Sequence, residues 1–141
     1  MVKGWGALVV TTCVAGCIAC GTRQEFGIDT TSLAKIGVEW ALTEAQICAA
    51  NGSPEVTLTD VPAAAVSYEV LMTDLDSPRF RHWRETFESQ QRTIRAGKGT
   101  SYVGPQCPPN GHRYRIGVLV RDAQQEPVAY GEKTNIAARS R

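Results

Sequence analysis

The chain has 141 residues, 43% hydrophobic and 21% charged, with 15 Lys and Arg against 14 Asp and Glu for a net charge of +1. That length and composition allow a single globular domain with its own core. The near balance of charge argues against a nucleic-acid binder.

In chain order, the first element is a leader. Lys3 precedes an apolar run from about Gly4 to Gly16, and small residues stand ahead of a cysteine, which is the layout of a secretory signal peptide. Val14-Ala15-Gly16-Cys17 has the form of a bacterial lipobox, in which the cysteine is lipidated and becomes the new N-terminus. Residues 1–16 are therefore expected to be a signal peptide, Cys17 the lipidation site, 17–34 a tether and 35–141 the domain. The alternatives are an uncleaved membrane helix, since about 18 weakly polar residues lie near the lower limit for a span, and an ordinary secreted protein. All three put the domain outside the cytoplasm, in the cell envelope facing the periplasm or exterior.

Beyond the leader and its junction, two cysteines remain, Cys48 and Cys107. In an oxidising compartment they can pair; two buried thiols are the alternative. The domain has no CxxC pair and no His/Cys cluster suited to a metal, and no cofactor is expected. Charge is unevenly spread: Ile18 to Pro78 holds two basic and nine acidic residues, and Arg79 to Arg115 eight basic and two acidic. Cross-strand pairing on a solvated face is the ordinary explanation, and attraction for an anionic ligand is the other.

The domain reads as strands. Lys35 to Leu42 alternates, although Leu33, Ile36, Trp40 and Ile47 also recur near the helical period; the strand is preferred. "EVTLTDV" alternates at Val56 and Leu58, "SYEVLMTDL" at Tyr68, Val70 and Met72, and "HRYRIGVLVRD" at Tyr114, Ile116, Val118 and Val120. Turns fall at Asn51-Gly52-Ser53-Pro54, Val61-Pro62-Ala63-Ala64 and Pro108-Pro109-Asn110-Gly111. Between His82 and Gly97, Thr86-Phe87 and Thr93-Ile94 mark two short strands, and a last strand is expected near Val128 to Glu132. Short strands at this spacing predict an all-β antiparallel sandwich.

Both histidines follow strand patterns. Asp74 and Asp76, two apart at a strand end, would point both carboxylates to one side on an extended backbone, with His82 within reach and Pro78 stiffening the loop. Ahead of His112, Gly104-Pro105 and Pro108-Pro109 fix the backbone while Gly111 permits a turn. Taken singly, each has a structural explanation: a solvated strand end, and a hairpin loop whose histidine meets a backbone group. Taken together, the two loops suggest one site.

Four ordered motifs carry a resemblance: Ser53-Pro54, Asp74-Leu75-Asp76-Ser77-Pro78, His82-Trp83, and Gly104-Pro105-Gln106-Cys107-Pro108-Pro109 followed by His112-Arg113-Tyr114. From about Cys48 to Tyr114 the chain resembles the phosphatidylethanolamine-binding protein family, whose bacterial members are called Raf-kinase-inhibitor-like. The resemblance implies an antiparallel β-sandwich with a small pocket for a phosphate or phospholipid headgroup. By matching position, Asp74, Asp76, Pro78, His82, Tyr102, Gly104, Pro109 and His112 would line it. Asp74 would orient or charge a histidine, His82 and His112 would donate to the anion, and the prolines would form a dry wall. If the fold brings the two loops together, Cys48 and Cys107 would be bridged. The chain departs from the family pattern at Leu75, at the extra Gln106, at Arg84-Glu85-Thr86, and in a short C-terminal part lacking the family's flanking helix.

The leading function is an envelope protein that binds an anionic small molecule or headgroup and is held to the membrane by the lipid. A protein-interaction module, such as a protease inhibitor presenting the basic block from Arg79 to Lys98 to an unknown protein target, is the second. A hydrolase using His82, His112 and Asp74 ranks last, because no Gly-x-Ser-x-Gly nucleophile elbow is present.

Overall fold

The computed structural model describes residues 25–48, 52–88, 90–107 and 111–137. In chain order its elements are β1 (Ala34–Lys35), β2 (Gly37–Trp40), α1 (Glu44–Cys48), β3 (Val56–Thr59), β4 (Ser67–Asp74), β5 (Arg81–Glu88), β6 (Thr93–Ile94), β7 (His112–Arg121) and β8 (Pro127–Ala137). A five-stranded sheet runs in the order β1-β8-β7-β4-β5 and a three-stranded sheet in the order β2-β3-β6. The protein is the expected all-β fold, with one departure from antiparallel pairing. The chain changes sheets at Ile36: Ala34 and Lys35 add to β8 in parallel, while Gly37 to Trp40 pair with β3.

Period-two alternation builds the core. Tyr68, Val70 and Met72 of β4 and Tyr114, Ile116, Val118 and Val120 of β7 meet Val38, Trp40, Val56, Leu58 and Ile94 from the smaller sheet. The other face of the large sheet is also covered. Phe26 packs on Leu71, Leu119 and Tyr130, with Ile28 and Leu33 beside it. Burying one such phenylalanine contributes about 2 kcal/mol, so Phe26, within the segment read as tether, packs against the large sheet. The leader and Cys17 lie outside the described residues.

Three elements differ in extent from the sequence reading. β5 runs from Arg81 through Glu88, although Arg84-Glu85-Thr86 interrupt the apolar pattern, because the polar groups find partners. Arg84 bonds Glu69 across the sheet at 2.8 Å, and Glu85 accepts from Trp83 Nε1, Thr100 N and Thr100 Oγ1. Burial pushes the Glu85 carboxyl up, and the hydrogen bonds from Thr100, Trp83 and Ser101 outweigh it, leaving the group below its ordinary value. β8 extends to Ala137, pairing with β7 as far as His112.

The third is α1, which alternation does not reveal. It begins with a capping box: Thr43 N–H donates to Gln46 Oε1 at 2.9 Å, and Gln46 N–H donates back to Thr43 Oγ1 at 3.3 Å. The helix ends at Cys48, which is disulfide-bonded to Cys107 with Cα atoms 4.5 Å apart. Cys107 N–H also donates to Ile47 O at 3.0 Å. The short helix thus anchors the glycine- and proline-rich loop that precedes β7.

Candidate functional site

Three neighbouring strands of the large sheet, β5, β4 and β7, end at one place. Asp74 is the last residue of β4 and continues the inward row of Tyr68, Val70 and Met72; it is 3% exposed. His112 opens β7 in the same row as Tyr114 and Ile116. His82 arrives by a different route. Met72 pairs with Trp83 but Thr73 pairs with Arg81, so His82 is the extra residue of an irregularity in the β4–β5 ladder. A bulge of this kind re-aims side chains, and both His82 and Trp83 are buried, at 4% and 0% exposed.

The three side chains converge on one carboxylate oxygen. His112 Nδ1 lies 2.7 Å from Asp74 Oδ2, and His82 Nε2 lies 3.9 Å from the same atom. Asp74 Oδ1 accepts the backbone N–H groups of Asp76 at 2.8 Å and Ser77 at 3.0 Å, closing the turn that follows β4. His82 Nδ1 donates to Val103 O at 2.6 Å, and Val103 N–H donates to His82 O at 2.7 Å, so the loop before β7 is tied alongside β5.

Asp74, His82 and His112 line a cavity of about 280 Å³ together with Ser77, Phe80, Gln106 and Tyr114. That is room for about nine waters, enough for a headgroup-sized ligand. Phe80 packs edge-on against His82 at 4.6 Å, as does Tyr114 at 5.1 Å. Burial, with Asp74 and Asp76 nearby, pushes the Tyr114 hydroxyl up to about 12, so it stays a neutral phenol. The cavity thus sets the Phe80 and Tyr114 rings beside the polar Asp74, Ser77 and Gln106.

Not all of the expected site residues gather here. β4 ends at Asp74, so strand alternation does not carry on to Asp76. The Asp76 carboxylate turns outward to Arg113, accepting from its backbone N–H at 2.7 Å and from Nη2 at 2.8 Å. Hydrogen bonds from Arg113 hold Asp76 at about 2. Pro78 lines a separate cavity with Glu25, Leu71 and Arg81. Tyr102 packs edge-on against Trp83 at 5.8 Å in the core, its hydroxyl without a hydrogen-bond partner, and burial pushes that hydroxyl up. Gly104 is buried but is not among the residues lining the cavity. Pro109 lies outside the described residues.

Sequence reading left out Ser77, Phe80, Gln106 and Tyr114. Tyr114 was within reach, because a residue two after His112 on a strand shares its face. The extra Gln106 stood out as a departure from the family pattern, and the structure puts it at the cavity. Phe80 carried no signal, since its position depends on the irregularity at His82.

The phosphatidylethanolamine-binding protein family model matches residues 29–139. Among solved structures, the crystal structure of Escherichia coli YbcL, described as a member of the mammalian PEBP family, aligns with a TM-score of 0.57 at 18% identity. It covers 74% of this chain and 99% of that one. The pectate lyase PelI from Erwinia chrysanthemi in complex with tetragalacturonic acid aligns at a TM-score of 0.45 and 14% identity, over 72% of this chain and 28% of that one. No curated protein sequence matches. The family match spans most of the chain, including every residue of the cavity, and the chain belongs to the phosphatidylethanolamine-binding protein family.

Proposed function

We propose that the protein is a binding protein rather than an enzyme, and that its ligand is an anion of the phosphate class, free or as a phospholipid headgroup. The observation that carries this reading is the convergence of His82 and His112 on Asp74 inside one cavity. Two imidazoles held by hydrogen bonds lose little freedom when they grip a ligand, and the Phe80 and Tyr114 rings packed on His82 lower the polarity around it, which strengthens charge-assisted bonds. Cell-envelope attachment through a lipid on Cys17 is part of the proposal. It is supported by the Val14-Ala15-Gly16-Cys17 pattern and by a disulfide of the kind that persists in oxidising compartments.

Calorimetric titration with inorganic phosphate and phosphoethanolamine, on wild type and His112→Ala, tests the binding reading. Loss of one charge-assisted hydrogen bond is expected to weaken binding by about tenfold to a hundredfold. Equal affinity in both proteins would contradict it. A second reading, a protein-contact surface, draws on Phe80 and Val103, which are 44% and 42% exposed on either side of His82. Wild type that binds neither ligand favours that second reading.

A further inference from the structure

Glu85 lies on β5 two residues after Trp83, opposite Val70 of the inward row of β4, at a place where the chain departs from the family pattern. Four donors of the described residues face its carboxylate. Trp83 Nε1 lies 2.9 Å and Thr100 N 2.8 Å from Oε2, Ser101 N reaches the same oxygen at 3.4 Å, and Thr100 Oγ1 donates to Oε1 at 2.6 Å. An ionised carboxylate has about four acceptor sites and no proton to offer, so it suits this set. A glutamine in its place would turn an NH2 group toward donors and leave at least one of them unpaired.

These bonds fasten the loop between β6 and β7 alongside β5. On one side the loop is tied to Ser53, whose O accepts from Gly97 N–H at 2.9 Å and whose Oγ accepts from Gly99 N–H at 2.8 Å. It lies so close that a Cβ on Gly99 would sit 2.7 Å from the Trp83 ring. On the other side it is tied to His82: Val103 N–H donates to His82 O at 2.7 Å, and the His82 ring donates to Val103 O at 2.6 Å. Only Tyr102 separates Ser101, held by Glu85, from Val103, whose carbonyl holds the ring. Two residues of chain span at most about 7 Å, so the carbonyl that aims His82 is placed by the Glu85 carboxylate. Glu85 itself lies outside the cavity, whose lining includes neither it nor any of residues 100–103.

We propose that Glu85 is the positioning residue for His82: its carboxylate fixes the 100–103 segment, and through Val103 O that segment holds the ring toward Asp74, 3.9 Å away. His112 is held separately, by Asp74 at 2.7 Å, so the two histidines have independent supports. The proposal rests on the anion-binding reading for its consequence, a His82 ring that is aimed before a ligand arrives and loses little freedom when it binds.

Long-range nitrogen–proton magnetic resonance of the two imidazoles, on the folded full chain at about pH 8, above the ordinary imidazole range, reads the support directly. Calorimetry with inorganic phosphate reads its consequence. In the wild type, His82 should show the pattern of a proton fixed on Nδ1. In Glu85→Gln that pattern should give way to the averaged one of an unrestrained ring while the His112 pattern stays, and phosphate affinity should fall about tenfold. Thr100→Val, a near-isosteric change at an exposed residue, removes only the bond from Thr100 Oγ1; it should move both readouts the same way by less, and it decides the matter if Glu85→Gln does not fold. A purely structural role for Glu85 predicts a lower urea midpoint with the His82 pattern and the affinity of the folded protein unchanged, and that result overturns the proposal. Equal changes at His82 and His112 overturn it too. A wild type that binds no phosphate contradicts the anion-binding reading, while the His82 pattern still decides the role of Glu85.

Discussion

At the scale of single residues, Asp74 is where structure and chemistry meet. It accepts the Asp76 and Ser77 N–H groups and the His112 ring, so it builds the turn and orients the histidine together. Asp74→Ala leaves three donors without their acceptor in a partly buried place, and a loss of about 1–3 kcal/mol is expected in urea denaturation. A change under 1 kcal/mol would show that water replaces the carboxylate at little cost. Asp76, two residues on, has a different role. Arg113 holds its folded value at about 2, below the ordinary 3.8. A depressed value means that the ionised group stabilises the fold in full above the unfolded value, and that this contribution disappears as pH falls through about 2. The urea midpoints of wild type and Asp76→Asn should therefore differ by a constant amount above about pH 5 and draw together as pH falls to about 2 and below. A gap that persists unchanged at pH 2 contradicts the pairing.

At the scale of elements, legibility followed how regular each strand is. The inward rows of β4 and β7 keep period two in spite of Leu71 and Leu119, which face the covered outer side, so their core faces, and with them Asp74 and His112, could be read from the residues alone. His82 could be named through the family resemblance, but its inward direction depends on where the β4–β5 ladder slips between Met72 and Thr73, which one sequence does not disclose. The error at Asp76 has the same origin: alternation was extended past the end of the strand into a turn. α1 did have a local signal in Thr43 and Gln46, hidden by stronger alternation just before it. The crossing of the chain between sheets at Ile36 depends on a close approach. A Cβ on Gly131 of β8 would lie 2.4 Å from Ile36 O and 2.7 Å from Ile36 Cγ1. Gly131→Ala should cost about 1–3 kcal/mol by overpacking, with faster amide exchange at Ile36, whose N–H donates to Tyr130 O. Unchanged stability would mean that β1 yields without penalty.

At the scale of the whole molecule, three basic residues of the second block, Arg84, Arg113 and Arg115, pair with acidic residues of the first. Glu69 pairs with Arg84 and Arg121, Asp76 with Arg113, and Glu25 with Arg115, which is the ordinary explanation of the charge asymmetry. The single long-range covalent constraint among the described residues is Cys48–Cys107, with a sequence separation of 59. Closing a loop of that size constrains the unfolded chain by about 4 kcal/mol in the entropic account. Reduction should therefore lower stability by up to that amount and loosen the loop carrying Gln106, weakening phosphate binding as well. Free-thiol labelling of the denatured, unreduced protein that finds both Cys48 and Cys107 reactive contradicts the bridge.

The central claim is that His82 and His112 grip one anion together, and the chain contains only these two histidines. Nuclear magnetic resonance of the two imidazole Cε1–H signals during a phosphate titration is the direct measurement. Both signals should shift along the same saturation curve with one dissociation constant. Signals that stay still, or only one that moves, would contradict the claim.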